Sequence, residues 1–214
     1  MTPCSRHYLY RPFLTDTTPD TVRQVSRWLL PDEPVPVRLM NTVWADRDGV
    51  HDALEDVEDL SSWLAAVGAD PETAPVRRAD LRVARRLRDT CRQVAAHVTA
   101  DPRPAVSSAT SDLRAAIDDL NAIAAADPPI AQLVLRDGRL HRATTPVRAL
   151  VPTALSAVAA DAVDLFTNPE RPALRACLAP GCVLYFVRDH PRRSWCSAAC
   201  GNRARAARHY RRHR

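Results

Sequence analysis

The stretch CLAPGCVLYFVRDHPRRSWCSAAC, residues 177–200, holds four of the chain's six cysteines. They form two close pairs, the first separated by four residues and the second by three, with 13 residues between the pairs. This spacing lets four thiolates reach the corners of a tetrahedron about 2.3 Å from a zinc ion, and a site closed by four thiolates leaves no open position for a catalytic water. The stretch therefore predicts one structural Zn²⁺ per chain, with the ligands Cys177, Cys182, Cys196 and Cys200.

The sequence around the cysteines predicts how the chain turns between them. Ala-Pro-Gly at 179–181 favours a tight turn that brings the first pair together, and the run VLYFV that follows favours a β-strand. Cys196 and Cys200 are four residues apart, so both can face one side of a first helical turn capped by Ser197. We therefore expect a zinc ribbon or treble clef that ends in a helix. His190 lies in a predicted turn, where an exposed histidine is expected rather than a zinc ligand.

After the last cysteine, the arginine-rich segment GNRARAARHYRRHR continues the predicted helix. At about 100° per residue, Arg205, Arg208 and Arg212 fall within about 60° of one another and form one stripe. Arg203 projects to another side, where packing within the module and contact with a ligand fit the pattern equally well. Arginines grouped in this way neutralise phosphates and give salt-sensitive binding with little sequence preference. The predicted nucleic-acid contacts are Arg192, Arg193, Arg203, Arg205, Arg208, Arg211 and Arg212.

Charge is divided unevenly along the chain. Residues 171–214 contain 11 arginines and one acid, a net charge of +10, whereas residues 1–170 contain 19 arginines and 24 acids, a net charge of −5. A strongly basic segment beside an acidic body predicts a polyanionic partner, and DNA is the first candidate. An RNA-binding finger, a protein-docking finger and a solvated basic tail are the alternatives.

Residues 1–170 are predicted to form an α+β, mostly helical domain, which the NPERP linker separates from a zinc module at 171–214. Asp137-Gly138, between two alternating runs, is a strong signal of a β-hairpin. Apolar residues at helical spacing predict the helices, and alternating runs predict two further strands. The predicted helices span 19–30, 52–67, 76–99, 107–125 and 147–166, and the further strands span 7–14 and 37–44.

The longest predicted helix, 76–99, has an apolar stripe that includes Leu87 and Cys91, with arginines on its other faces. Arginines in such positions most often form the solvated side of a helix. A second nucleic-acid surface is the alternative. The arginines predicted to face solvent are Arg77, Arg78, Arg82, Arg85, Arg86, Arg88 and Arg92.

The chain shows no P-loop, GxSxG, HExxH or dinucleotide-binding glycine pattern, so we do not expect an enzyme. It also shows no signal-like apolar run near Met1 and no membrane-length apolar stretch, which predicts a cytoplasmic protein without a membrane partner, nucleoid-associated if it binds DNA. Asn41, Thr42 and Trp44, with Asp46, are the candidate lining of a ligand pocket. A strand end with a buried tryptophan is the alternative.

Three motifs of the module resemble the signature of the CGNR zinc-finger family: Cys200-Gly201-Asn202-Arg203, Cys177-x4-Cys182 and Trp195-Cys196-Ser197. The run RLMNTVW, with Asn41 and Thr42, resembles the opening of the ABATE domain found before the finger in that family, so the resemblance covers roughly residues 37–213. It implies a zinc-binding bacterial transcription regulator whose N-terminal domain senses stress or a small molecule. A small-molecule effector or a homodimer is the corresponding expectation for the body.

Overall fold

The computed structural model describes residues 29–69, 75–103, 112–145, 149–169 and 173–212. The strand predicted at 7–14 and nearly all of the helix predicted at 19–30 lie outside these residues. The described helices are α1 (Val35–Met40), α2 (Val57–Ala66), α3 (Arg78–Val98), α4 (Leu113–Ala126), α5 (Leu150–Thr167) and α6 (Ala198–Arg212). The strands form three antiparallel pairs: β1 (Val43–Ala45) with β2 (Val50–Asp52), β3 (Ile130–Arg136) with β4 (Arg139–Thr145), and β5 (Leu174–Ala176) with β6 (Tyr185–Val187). The predicted class is confirmed: helices with small hairpin sheets, and a C-terminal cysteine cluster that ends in a helix.

The first half of the strand predicted at 37–44 is instead part of helix α1, so that prediction was wrong. Pro34 precedes α1 and Pro36 lies in its first turn. Proline is compatible with this position because the first N–H groups of a helix have no partner inside it. Val37, Leu39 and Met40 of α1 are buried, and an apolar run this short fits the period of a helix as well as that of a strand. Only the end of the run forms a strand, β1, which pairs with β2.

The helices predicted at 52–67, 76–99, 107–125 and 147–166 are confirmed with shifted ends. Helix α2 begins at Val57 instead of residue 52, because the preceding residues pair in β2 and because Asp56 caps the helix by accepting the Asp59 N–H at 2.9 Å. Helices α3, α4 and α5 correspond to those predicted at 76–99, 107–125 and 147–166.

Helices α3, α4 and α5 pack against one another and, with α1, enclose the main core. Cys91 lies at its centre, and burial raises the pKa of this thiol to about 12, which makes it an inert core side chain. Of the described helices, α5 is long and apolar enough to cross a membrane by length and composition alone. A helix of a protein core meets the same criterion, and α5 packs against α3 and α4.

Two arginines of α3 that were predicted to face solvent are buried, so the prediction was wrong for them. Arg88 is 3% exposed and Arg92 is 6% exposed, whereas the other five are exposed or half-buried. Helix α3 packs against α1, α4, α5 and β5, which leaves little of its middle solvated. Arg88 pairs with Asp52, and Arg92 donates to the carbonyl oxygens of Met40 at 2.8 Å and Val183 at 3.1 Å. Hydrophobic periodicity cannot reveal arginines that serve as buried donors.

Strands β3 and β4 form the predicted hairpin. Asp137 and Gly138 have φ values of 50° and 72°, as a two-residue type I′ turn requires. Leu133, Leu135 and Leu140 lie on one face of the hairpin and are exposed. This hairpin prediction is confirmed in both position and turn.

The side chains of strand β6 are buried in two different hydrophobic clusters. Tyr185 and Val187 are buried in the main core with Leu174 of β5, whereas Phe186 is buried in a second cluster with the four cysteines. Successive side chains of a strand point to opposite faces, so three residues can join the two clusters. The domain boundary predicted at residue 170 stays a prediction.

Candidate metal centre and nucleic-acid interface

The four predicted ligands converge on one point. The sulfur atoms of Cys177, Cys182, Cys196 and Cys200 all lie within 4.8 Å of one another, and all four residues are buried. The Sγ atoms of Cys182 and Cys196 are 3.8 Å apart, and those of Cys196 and Cys200 are 3.4 Å apart. A regular tetrahedron with zinc–sulfur bonds of about 2.3 Å has edges of roughly 3.8 Å. The cluster therefore fits a structural Zn²⁺ held by four thiolates.

Backbone geometry shapes both halves of the cluster. In the first half, the Cys182 N–H donates to the carbonyl oxygen of Ala179 at 2.9 Å, and Gly181 turns the chain with a φ of 71°, a region that favours glycine. In the second half, the Cys200 N–H donates to Ser197 Oγ at 3.3 Å, the cap predicted from the sequence. Cys200 consequently lies in the first turn of α6.

Hydrogen bonds among the thiols shift the pKa values of Cys177 and Cys196 in opposite directions. Donation from Cys182, and next from Cys196, lowers the pKa of Cys177, whereas contacts with Cys177 and Cys182 raise the pKa of Cys196. Zinc binds thiolates, so its binding must release the remaining protons. Zinc affinity is therefore expected to fall as the pH falls.

The residues that follow the last cysteine pack around the cluster. A Cβ atom at Gly201 would lie 3.2 Å from Trp195 Cδ1, so glycine allows the indole to pack on the start of α6. Arg203 bends back by one helical turn, and its Nη2 donates to Cys200 Sγ at 3.0 Å. Desolvation, the largest single effect, lowers the pKa of Arg203, but the hydrogen bond to Cys200 and the charge attraction of Cys200, Cys182 and Cys177 together outweigh it, so the pKa is raised. Gly201 and Arg203 of the signature segment thus contact the surroundings of the metal centre, although Asn202 and Arg203 are exposed.

Beyond the cluster, α6 presents an exposed basic surface. Residues 205–212 are exposed apart from Ala207, which is half-buried. Arg205 also donates to Asn202 Oδ1 on the same helix. Among the described residues, no carboxylate forms an ion pair with an arginine of α6. The predicted contacts on this surface are Arg205, Arg208, Arg211 and Arg212.

The two arginines of the loop before the second cysteine pair have different surroundings. Arg192 is exposed, and its backbone N–H donates to Nδ1 of His190. His190 is exposed, as predicted. Arg193 pairs with Glu33 at 2.6 Å and donates to the carbonyl oxygen of Val187 at 3.0 Å. Burial raises the pKa of Glu33. Arg193 therefore links the finger to the body, and Arg192 is the member of the pair that faces solvent.

Asn41 and Thr42, two of the candidate pocket residues, find partners within the chain. Asn41 is buried; its Nδ2 donates to the carbonyl oxygen of Tyr185, and its Oδ1 accepts the Tyr185 N–H, both at 2.9 Å. Thr42 Oγ1 donates to the carbonyl oxygen of Leu39 at 2.8 Å. Asn41 thus supplies β6 with the two hydrogen bonds that a neighbouring strand would otherwise make.

Trp44, the third candidate, lies beside an open groove of about 360 Å³. Its ring centroid is 4.4 Å from that of His51, and His51 Nε2 is 2.8 Å from Asp46 Oδ1. Trp44 also packs against the cluster that contains the cysteines. The other lining residues are Leu29, His51, Asp52, Ala53 and Glu55.

The sequence did not reveal the role of Arg103, a side chain of the body that binds the first cysteine pair. Arg103 Nη1 donates to the carbonyl oxygens of Cys177 at 3.1 Å, Cys182 at 2.9 Å and Leu184 at 3.3 Å. Its Nη2 pairs with Asp101 at 2.6 Å. The only local signal, an Asp-Pro-Arg turn after the long helix, does not point to cysteines more than 70 residues away.

Tyr185 completes this contact between body and finger. Its hydroxyl donates to Asp101 Oδ2 at 2.8 Å, and burial, followed by this hydrogen bond, raises the pKa of Tyr185 to about 12. The guanidinium groups of Arg92 and Arg103 lie 5.3 Å and 5.0 Å from its ring centroid, within the range of cation–π attraction. The cysteine cluster is therefore fixed to the body by buried polar and aromatic contacts.

Comparison with family models gives two adjoining matches. Residues 33–169 match ABATE, described as "Putative stress-induced transcription regulator", and residues 173–213 match the CGNR zinc finger. Neither description is that of an enzyme. Comparison with curated proteins found no match. The chain therefore belongs to the ABATE family and carries a C-terminal CGNR zinc finger, whose four cysteines form the zinc site.

Proposed function

We propose that this chain is a DNA-binding transcription regulator whose helix α6 contacts the phosphate backbone through Arg205, Arg208 and Arg212. The observation that carries the proposal is the second half of α6, which is exposed and rich in arginine, and whose arginines form no ion pair among the described residues. The metal centre fixes the start of the same helix through Cys200. A cationic helix held at one end is preorganised to bind a polyanion. In this proposal the protein acts in the cytoplasm, at the nucleoid.

The dimensions of α6 favour double-stranded DNA. An α-helix with its side chains is about 10–12 Å in diameter, and the major groove of B-DNA is about 12 Å wide and admits it. The major groove of an RNA duplex is deep and narrow, and side chains do not read it. Arginine contacts with phosphate support affinity without selecting a sequence.

Salt dependence tests this proposal. The triple variant Arg205→Ala, Arg208→Ala, Arg212→Ala should bind a random-sequence DNA duplex more weakly, with the slope of log K against log salt reduced by about 2.7 because three phosphate contacts are lost. Fluorescence anisotropy between about 50 and 200 mM salt measures this slope. Alanine favours helix, so the variant should keep α6.

A matched control removes the same charge elsewhere. Arg136, Arg139 and Arg142 are exposed on the β3–β4 hairpin, and their replacement by alanine should leave the slope unchanged. An unchanged slope in the α6 variant would place the DNA contact on another surface. Tighter binding to single-stranded RNA of the same length would favour the RNA-binding alternative.

In the same proposal, the ABATE body senses a small-molecule effector or forms a homodimer. The groove beside Trp44 supports sensing, because its volume falls within the range of ligand pockets and Trp44 also touches the cysteine cluster. A library compound that raises the Tm of the wild-type chain through this groove should have no effect on His51→Ala. If every stabilising compound raises the Tm of the wild type and of His51→Ala equally, the groove is not the effector site. Sedimentation equilibrium then tests whether the chain forms a homodimer.

A further inference from the structure

The metal centre has a charge that its surroundings must offset. Four thiolates and one Zn²⁺ carry a net charge of −2, and the four cysteines are between 0% and 6% exposed. A buried net charge is costly unless hydrogen-bond donors or opposite charges compensate it. Groups that contact the ligands of a metal site therefore contribute to its affinity.

Three arginines, one from the body and two from the finger, reach the four cysteines. Arg103 binds the carbonyl oxygens of the first pair, and Arg193 Nη2 lies 3.3 Å from the carbonyl oxygen of Cys196. Both of these guanidinium groups are paired with carboxylates, those of Asp101 and Glu33. Much of their positive charge is therefore already balanced.

Arg203 differs from the other two arginines in both its partner and its charge balance. It donates to a sulfur atom, Cys200 Sγ, at 3.0 Å, and no described carboxylate forms an ion pair with it. Since the two residues are three apart on α6, the side chain folds back along the helix to reach the sulfur. A charge-assisted hydrogen bond of this kind is stronger than one between neutral groups, and it holds the sulfur atom in a fixed position.

We propose that Arg203 is a positioning residue of the metal centre: its guanidinium orients the Cys200 thiolate and offsets the negative charge of the zinc-bound sulfurs, and it makes no contact with nucleic acid. This assignment separates Arg203 from Arg205, Arg208 and Arg212, although all four lie on one helix. It depends on the zinc site and not on the identity of the partner of α6.

Zinc transfer from the full-length chain to a chromophoric chelator tests the assignment. Arg203→Gln should release zinc about 10-fold faster than wild type, because loss of a contact to a metal ligand costs about 10- to 100-fold in affinity. Arg208→Gln is the matched control; it removes the same charge from the same helix and should release zinc at the wild-type rate. In the cobalt-substituted protein, the sulfur-to-metal charge-transfer band should shift in Arg203→Gln and not in the control.

In DNA binding we expect the opposite pattern, with an effect of Arg208→Gln and none of Arg203→Gln. At saturating zinc, Arg203→Gln should keep the wild-type salt slope, whereas Arg208→Gln should lose about 0.9 from it. Wild-type zinc release and an unshifted cobalt band in Arg203→Gln would overturn the assignment, and so would a slope reduced as in Arg208→Gln. If the glutamine variant does not fold, Arg203→Met, which also removes the charge and the donors, replaces it: zinc release about 10-fold faster supports the assignment, and the wild-type rate overturns it.

Discussion

Replacing Cys196 by serine should abolish zinc binding and unfold the C-terminal module. Structural zinc contributes roughly 10–16 kcal/mol of apparent binding free energy in isolated fingers, and a segment of about 40 residues has too small a core to fold without it. The wild-type chain should contain one zinc per chain by elemental analysis, and Cys196→Ser should contain none. A zinc-free variant with wild-type circular dichroism and Tm would contradict the structural role.

The same substitution should also destabilise the body. Leu174, Tyr185 and Val187 of the module are buried in the main core, so unfolding the module exposes part of that core to water. Thermal unfolding of Cys196→Ser should therefore begin at a lower temperature in signals from the body as well. Cys91→Ala is the matched control, because it removes a buried cysteine that lies outside the cluster and should retain the zinc.

Arg92→Met should destabilise the chain by about 2–4 kcal/mol, measured by urea unfolding of the zinc-loaded protein. The substitution leaves the buried carbonyl oxygens of Met40 and Val183 without their donor, and each unsatisfied group costs about 1–3 kcal/mol. Two features of the wild type reduce the loss: burial lowers the pKa of Arg92 to about 10, and its Nε has no partner. Both carbonyl groups remain in the variant, so an apolar side chain cannot make the exchange neutral.

Arg85→Met is the control for the prediction on Arg92. Arg85 lies on the same helix and donates to the carbonyl oxygens of Leu54 at 2.8 Å and Glu55 at 3.0 Å, but its side chain is 39% exposed. Water can replace its hydrogen bonds, so the expected loss is below about 1 kcal/mol. Equal losses in the two variants would mean that burial does not determine the cost.

The features predicted correctly are those that a short stretch of sequence specifies. Four cysteines at finger spacing converge, and Asp137-Gly138 supplies the two positive φ values of its turn. Ser197 caps the helix that its position indicates. In each case the interacting residues are close in sequence, or a metal imposes the geometry.

The features missed depend on partners that are far apart in sequence. Asn41 bonds to a backbone 144 residues away, and Arg103 bonds to carbonyl oxygens 74 to 81 residues away. No sequence periodicity relates such positions. Every residue has a backbone carbonyl oxygen, so the residue type does not show which one accepts a hydrogen bond. The short helix α1 was misread for a different reason, because six residues do not distinguish a period of 3.6 from a period of 2.

The contacts between strand β6 and the body also determine when the body can complete its hydrogen bonds during translation. Asn41, Arg92 and Arg103 leave the ribosome long before the backbone groups that they bind near Val183 and Tyr185. The nascent body therefore cannot complete the hydrogen bonds of these side chains until the finger has been translated, although Met40 and Asp101 already offer acceptors to Arg92 and Arg103. A product that stops short of β6 lacks these hydrogen bonds, and we expect it to be a better substrate for chaperones and proteases. We therefore expect the body to complete its folding after the finger has been translated.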